Sequence, residues 1–271
     1  MISFPRAKIN IGLKVVEKRS DGYHNIDTIF YPVPLSDALE FVTTDGPGED
    51  ELVITGINIT TKPGQNLIMK AVKLLRESYS FPRLKIHLHK VIPPGAGLGG
   101  GSSDAACILK SVIKRFRFPV KDDELKDLAL KTGSDCPFFL NPVPSVAEGR
   151  GEILKEIKPR LEGYYLVLIN PGIHISTREA YHNCHPSLSK IGLGELYSHK
   201  ISEWKKIIAN DFEDFVFKVY PEVSELKKAL YKKGAVYCSM TGSGSAVYGI
   251  YEQKPELTAR LKEKMIFEGI L

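Results

Sequence analysis

From Ala7 to Val15 apolar and polar residues alternate. Ala7, Ile9, Ile11, Leu13 and Val15 share one face and Lys8, Asn10, Gly12 and Lys14 the other, the period of a half-buried β-strand. Lys8 and Asn10 therefore project from the same side. Asp21-Gly22 is a turn signal between this strand and a second one over Ile26 to Pro32, which places Tyr23 and His24 where the hairpin emerges. Further strands are expected over Ala38 to Thr44 and Leu52 to Thr55. Asn66 opens a helix to Ser80 with Leu67, Ala71, Leu74 and Leu75 as its apolar stripe, and Leu84 to Ile92 alternates as a strand.

Ser102 or Ser103 is the expected N-cap of a helix to about Phe116, and Gly133 is the expected left-handed stop of a helix from Asp123 to Thr132. Strand-like segments at Ser145 to Glu148 and Glu152 to Ile157 join through Gly149-Arg150-Gly151. The pattern then restarts with a strand Tyr164 to Asn170, helices within Ser202 to Tyr220 and Pro221 to Lys233, and Gly234 as a stop. Strands Ala235 to Met240 and Ala246 to Tyr251 and a helix Pro255 to Phe267 follow. Segregated sheets and helices read as α+β, in two domains covering 1–155 and 156–271.

Between the strand-like Leu84 to Ile92 and the helix that follows, Pro93-Pro94-Gly95-Ala96-Gly97-Leu98-Gly99-Gly100-Gly101-Ser102-Ser103-Asp104 concentrates glycine. Glycines let the backbone pass through positive φ and turn its N–H groups toward an anion, and the helix that follows points the positive end of its dipole at the same place. The ligand this implies is a nucleotide triphosphate. A Walker A loop is excluded because no lysine follows Gly101. A dinucleotide fingerprint is excluded because Asp122 and Asp123 fall at a helix start, and the protein-kinase loop because that loop joins two strands.

What remains, Pro-x-Gly-x-Gly-Leu-Gly-x-Gly-Ser-Ser, resembles the GHMP small-molecule kinases. Pro5-Arg6-Ala7-Lys8-Ile9-Asn10, Asp21-Gly22-Tyr23-His24 and Gly133-Ser134-Asp135-Cys136-Pro137-Phe138-Phe139 are similar to the branch that acts on a cytidine diphosphate-linked polyol. The likeness runs in order from about Pro5 to Ile250. It implies a two-domain GHMP kinase fold with a ribosomal S5 domain 2-like N-terminal domain and a ferredoxin-like C-terminal domain. It also implies ATP as phosphoryl donor, with magnesium accompanying it on ligands that the sequence leaves unassigned.

The resemblance implies roles for particular residues. Asp135 accepts the proton of the substrate hydroxyl and Lys8 lies close to it and to the transferred group. Lys8 would lower the aspartate's pKa while apolar burial would raise it, leaving it ionised near neutral pH. ATP is assigned to Asn66, Leu67, Lys90, Pro93, Gly95, Gly97, Leu98, Gly99, Gly100, Gly101, Ser102 and Ser103. The acceptor is assigned to Asn10, Tyr23, His24, Thr177, Tyr181, Thr241, Gly242 and Ser243, with Tyr23 and Tyr181 sandwiching the cytosine and His24 reading its edge. From the residues alone each has a plainer alternative. Lys8 and Asp135 could be a structural ion pair, Asn66 an N-cap, Leu67 core, Lys90 a surface lysine with a buried stem, and Thr241-Gly242-Ser243-Gly244-Ser245 a simple hairpin turn.

Composition narrows the setting. The 43% hydrophobic and 25% charged residues describe a globular protein, and a net charge of +5 without a basic stripe fits an anionic small molecule and not a nucleic acid. Cys107, Cys136, Cys184 and Cys238 show neither paired nor zinc-ligand spacing, which suits a reducing cytoplasm. No targeting peptide or membrane span is expected, and the chain is expected as a monomer or homodimer. Rival readings are a GHMP kinase for mevalonate or homoserine, and a nucleotide-binding sensor without catalysis.

Overall fold

The alternation at the N-terminus becomes a strand in which Ala7, Ile9, Ile11 and Val15 are fully buried. Lys8 and Asn10 on the opposite face are buried as well, so this strand is covered on both sides. The computed structural model describes residues 1–59, 66–187 and 191–271. Along the chain come β1 (Ile2–Ser3), β2 (Arg6–Lys18), β3 (His24–Ser36), β4 (Ala38–Thr44), β5 (Glu51–Gly56), α1 (Leu67–Ser78) and β6 (Arg83–Lys90). Then follow α2 (Gly100–Phe116), α3 (Asp122–Thr132), α4 (Cys136–Leu140), β7 (Ser145–Gly149), β8 (Ile153–Glu156) and β9 (Tyr165–Ile169). The rest is α5 (Thr177–His182), α6 (Leu193–Tyr197), α7 (Ile201–Ile207), α8 (Glu213–Val219), α9 (Pro221–Lys232), β10 (Tyr237–Met240), β11 (Val247–Tyr251), α10 (Ala259–Glu263) and β12 (Met265–Ile270).

Two compact units interleave along the sequence. The first holds Met1–Ala7, Leu35–Pro94 and Gly99–Pro142. Its sheet runs β1-β4-β6-β5, with β4 antiparallel and β5 parallel to β6. Leu39, Phe41, Ile86 and Leu88 of this sheet form one core with Ile68, Ala71 and Leu75 of α1 and Ala105, Leu109 and Val112 of α2. That packing fixes the height at which α2 begins.

The second unit holds Lys8–Pro34, Gly95–Leu98 and Val143–Leu271. It carries a sheet β2-β3-β7-β8 and a sheet β10-β11-β9-β12. β9 lies between β11 and β12, antiparallel to both. Val167, Ile169, Cys238, Met240 and Val247 pack against Val216, Val223, Leu226 and Leu230 of α8 and α9. Gly22 takes φ 85° in the β2–β3 turn, and the Asp21 carboxylate accepts the Tyr23 amide at 3.1 Å, as the Asp-Gly signal requires.

Three expectations are corrected. The helix expected over Pro255 to Phe267 is the short α10 followed by strand β12, because Met265 to Ile270 complete the open side of β9 and this pairing overrides the helical pattern. Neither Ser102 nor Ser103 caps α2. The cap is Gly99 at φ 71°, whose carbonyl already accepts the Ser103 amide at 2.9 Å, so the helix starts at Gly100 with both serines inside it. Gly133 is not left-handed but extended at φ −173°. A side chain there would press within 3.2 Å of Cys136 Sγ, so the position favours glycine for closeness and not for handedness.

Candidate active site

The end of β6, in the first unit, leads into the glycine-rich turn, of which Gly95–Leu98 belong to the second unit and Gly99 to the first. Gly95, Gly97 and Gly99 have φ of 66°, 78° and 71°, the region that L side chains resist. α2 then opens with no side-chain cap bond to its leading amides, at the positive end of its dipole. Gly101 is exposed there and Ser102 half-buried. The Asn66 side chain accepts the Ile68 amide at 2.8 Å and so caps α1. Next to it, Leu67 Cδ1 lies 3.8 Å from where a Cβ on Gly101 would stand and 3.7 Å from the same point on Gly133. The cap of α1, the start of α2 and the Gly133 turn are thus neighbours.

Asp135 follows that turn. The Gly133 amide donates to Ala129 O at 3.0 Å and the Cys136 amide to Gly133 O at 3.1 Å, a tight reversal that sets Asp135 half-buried at the head of α4. Burial pushes the Cys136 thiol up to about 12, with the Ser102 hydroxyl opposing, so it stays protonated and is no nucleophile. Lys90 is 3% exposed, bonded to the carboxylates of Asp37 and, at 2.9 Å, Asp104. It is not a surface lysine. Spacing had pointed to neither acid, since they stand 67 residues apart in a fold-dependent meeting.

In the second unit Lys8 is 3% exposed. Its Nζ donates to Asn10 Oδ1 at 2.5 Å and Gly97 O at 3.0 Å, and lies 5.0 Å from the Phe30 ring centroid. The Lys8 amide donates to Leu98 O at 3.0 Å, so β2 and the glycine turn are held together by both main chain and side chain. Asn10 Nδ2 donates to Thr28 Oγ1 at 2.9 Å. The Asn10 amide donates to Thr241 Oγ1 at 3.0 Å, and that hydroxyl has Gly97 O at 3.0 Å as acceptor. A Cβ on Gly97 would stand 1.9 Å from the Thr241 carbonyl oxygen, so only glycine permits this approach. Asn210, which nothing in the spacing marks, holds the Thr241 loop from behind by donating to Met240 O and Gly242 O, each at 2.9 Å.

The aromatic residues meet in the same unit. The His24 and Tyr181 rings stack with centroids 4.8 Å apart and 15° between planes, and Phe212 meets the Tyr181 ring edge-on at 4.9 Å. Tyr23 is 52% exposed, with the Arg150 guanidinium 4.5 Å from its centroid. Burial, and then the charge of Lys18, hold the His24 imidazole below its ordinary pKa, so it is neutral at pH 7. Thr177 and Ser243 hydroxyls are 3.1 Å apart, which joins the head of α5 to the Thr241 loop. Among the described residues no three His, Cys, Asp or Glu side chains converge on a metal site, and no helix is long and apolar enough to cross a membrane.

A main-chain cradle of left-handed glycines ahead of an uncapped helix suits phosphoryl transfer, which needs positioning and charge compensation more than covalent participation. Residues 66–141 match the family model for the GHMP kinases N terminal domain and residues 193–266 that for the GHMP kinases C terminal region. The chain belongs to the GHMP kinase family, ATP-dependent kinases of small molecules. Within it, the chain is 45% identical over 270 residues to the 4-diphosphocytidyl-2-C-methyl-D-erythritol kinase of Bacteroides fragilis (strain YCH46), covering 99% of this chain and 97% of that protein. The enzyme of the same name from Bacteroides thetaiotaomicron is 46% identical over 95% of this chain and 94% of its own. A crystal structure of 4-(cytidine 5'-diphospho)-2C-methyl-D-erythritol kinase superposes with a TM-score of 0.73 at 32% identity, over 92% of this chain and 90% of that one.

Proposed function

We propose that this protein transfers the γ-phosphoryl group of ATP to the 2-hydroxyl of 4-diphosphocytidyl-2-C-methyl-D-erythritol, giving the 2-phosphate and ADP in the methylerythritol phosphate route to isoprenoid precursors. The observation that carries the reading is the near-full-length likeness to kinases of that name. The bond between the γ-phosphorus and the bridging oxygen to ADP breaks as the bond to the acceptor oxygen forms, and the acceptor proton passes to Asp135. Lys8 supplies positive charge to the transferred group, and the amides of Gly99 to Ser102, with the Ser102 and Ser103 hydroxyls, hold the terminal phosphates. Asn66, Leu67, Lys90, Pro93, Gly95, Gly97 and Leu98 complete the ATP side. Tyr23, His24, Thr177, Tyr181, Thr241, Gly242 and Ser243, with Asn10, serve the cytidylyl alcohol. Magnesium bound with ATP would offset the charge of the terminal phosphates, and among the described residues no three His, Cys, Asp or Glu side chains converge to hold it. The setting is the cytoplasm.

The test is an ADP-release assay on the purified chain with ATP and, in turn, the cytidylyl-methylerythritol, mevalonate and homoserine. Turnover with the first alone is expected. Turnover with either of the others in its place would move the chain to another branch of the family, and none with any of the three, ATP being bound, would make it a sensor.

A further inference from the structure

Three ionisable side chains are packed out of water directly beneath the start of α2. Lys90, from the end of β6, is 2% exposed at its side chain, Asp37 0% and Asp104 3%. Asp37, between β3 and β4, bonds the Lys90 ammonium and also accepts the amides of Val91 at 2.6 Å and Ile92 at 2.8 Å, which pins the chain as it leaves β6. Asp104, in the first turns of α2, holds the other side of the ammonium at 2.9 Å. A Cβ on Gly100 would stand 2.8 Å from Lys90 Nζ and 2.9 Å from Ile92 Cγ2. The first residue of the helix therefore rests on the ammonium itself.

An apolar cluster would fill this space without the desolvation that a buried ammonium between two acids incurs, so stability alone is a poor account of it. Its chemistry suits the amides above. The two carboxylates offset the ammonium's charge, so what the cluster supplies to the amides above is a fixed support. The two carboxylates hold the ammonium at a fixed height from two different elements.

We propose that Lys90 acts on ATP through the main chain, as a positioning residue: clamped by Asp37 and Asp104, it sets the Gly100 to Ser102 amides at the place that the terminal phosphates require. The inference rests on the reading of the chain as an ATP-dependent kinase. It gives Lys90 a role that needs no contact with the nucleotide, and makes Asp37 and Asp104 parts of the phosphate site.

The experiment compares wild type with Lys90→Met and with the neutral triple variant Lys90→Met, Asp37→Asn, Asp104→Asn, which leaves no unpaired buried charge should the single variant fail to fold. KM is measured separately for ATP and for the cytidylyl alcohol, and the affinity for a non-hydrolysable ATP analogue is measured by calorimetry. The expected result is a rise of about tenfold in KM for ATP and in the analogue's Kd, with KM for the alcohol within about twofold. A folded triple variant with wild-type affinity for ATP overturns the proposal, as does an equal rise in both KM values. A wild-type chain that binds no ATP overturns the kinase reading and this inference with it, whereas unaltered ATP kinetics in both variants of an active kinase overturn this inference alone.

Discussion

The imidazole of His24 lies flat on the phenol ring of Tyr181, centroids 4.8 Å apart and 15° from parallel. One residue comes from the start of β3 and the other from α5, and Phe212 backs the tyrosine edge-on, so the pair is held in place before any ligand arrives. A flat base stacking on an outer face of this pair would gain about 1–3 kcal/mol, the range for a base on an aromatic ring. Tyr181→Ala should raise KM for the cytidylyl substrate roughly 5- to 150-fold, the equivalent of that energy, and leave KM for ATP nearly unchanged. Because His24 is neutral at pH 7, acidification through its lowered pKa should weaken the same substrate and spare ATP. Equal effects on both substrates would remove the pair from the cytosine site.

Asp135 owes its position to the reversal at Gly133 and to the start of α4. Replacing it with asparagine keeps the shape and removes the proton acceptor. Asp135→Asn should lower kcat by about two orders of magnitude or more, the range for lost acid–base help, with ATP still bound. A variant turning over at near the wild-type rate would show that the aspartate is only structural.

Gly97 admits no side chain for two separable reasons. Its φ of 78° disfavours any L residue, and a Cβ would overlap the Thr241 carbonyl oxygen at 1.9 Å. The Gly97 carbonyl also accepts from Lys8 and Thr241, so displacement of the turn would move both. Gly97→Ala should therefore lower the melting temperature and depress kcat together. The control is Gly163→Ala, at φ 82° with open space around it, which should show only the backbone strain of about 1–3 kcal/mol and no change in kcat. If the two variants behave alike, close packing against Thr241 has no functional weight.

The glycine turn, the shared face of Lys8 and Asn10, and the Asp21-Gly22 reversal were all legible in the sequence, because each depends on residues adjacent in the chain. The same is true of Asn66, whose capping bond reaches two residues on. What escaped depends on distant partners. Nothing local separates β12 from a helix until β9 is there to pair with it, and nothing marks Asn210 until the Thr241 loop folds over it. Asp37 and Asp104 are ordinary acids in the sequence, and only the meeting of β6, α2 and the β3–β4 corner makes them a clamp. Lys90 shows the limit best: the family resemblance assigns it to ATP, and only the fold reveals that it is buried between two carboxylates.

That clamp has a consequence for stability against pH. Burial pushes the Asp104 carboxyl from its ordinary 3.8 up to about 7, with the charge of Lys90 opposing and that of Asp37 adding to the rise. Between those two values the folded chain holds a proton that the unfolded chain has released. Stability from this group is then greatest at low pH, declines as pH climbs from about 4 to about 7, and is level above, with a slope of at most about 1.4 kcal/mol per pH unit for one proton. Other carboxylates titrate over part of this range, so the measurement is a difference. Urea unfolding of wild type and of Asp104→Asn, which cannot titrate there, should give a stability gap that moves against wild type as pH rises toward 7. A gap that is constant with pH, or that moves in favour of wild type, would mean that Asp104 is ionised throughout and that the Lys90 ammonium outweighs its burial.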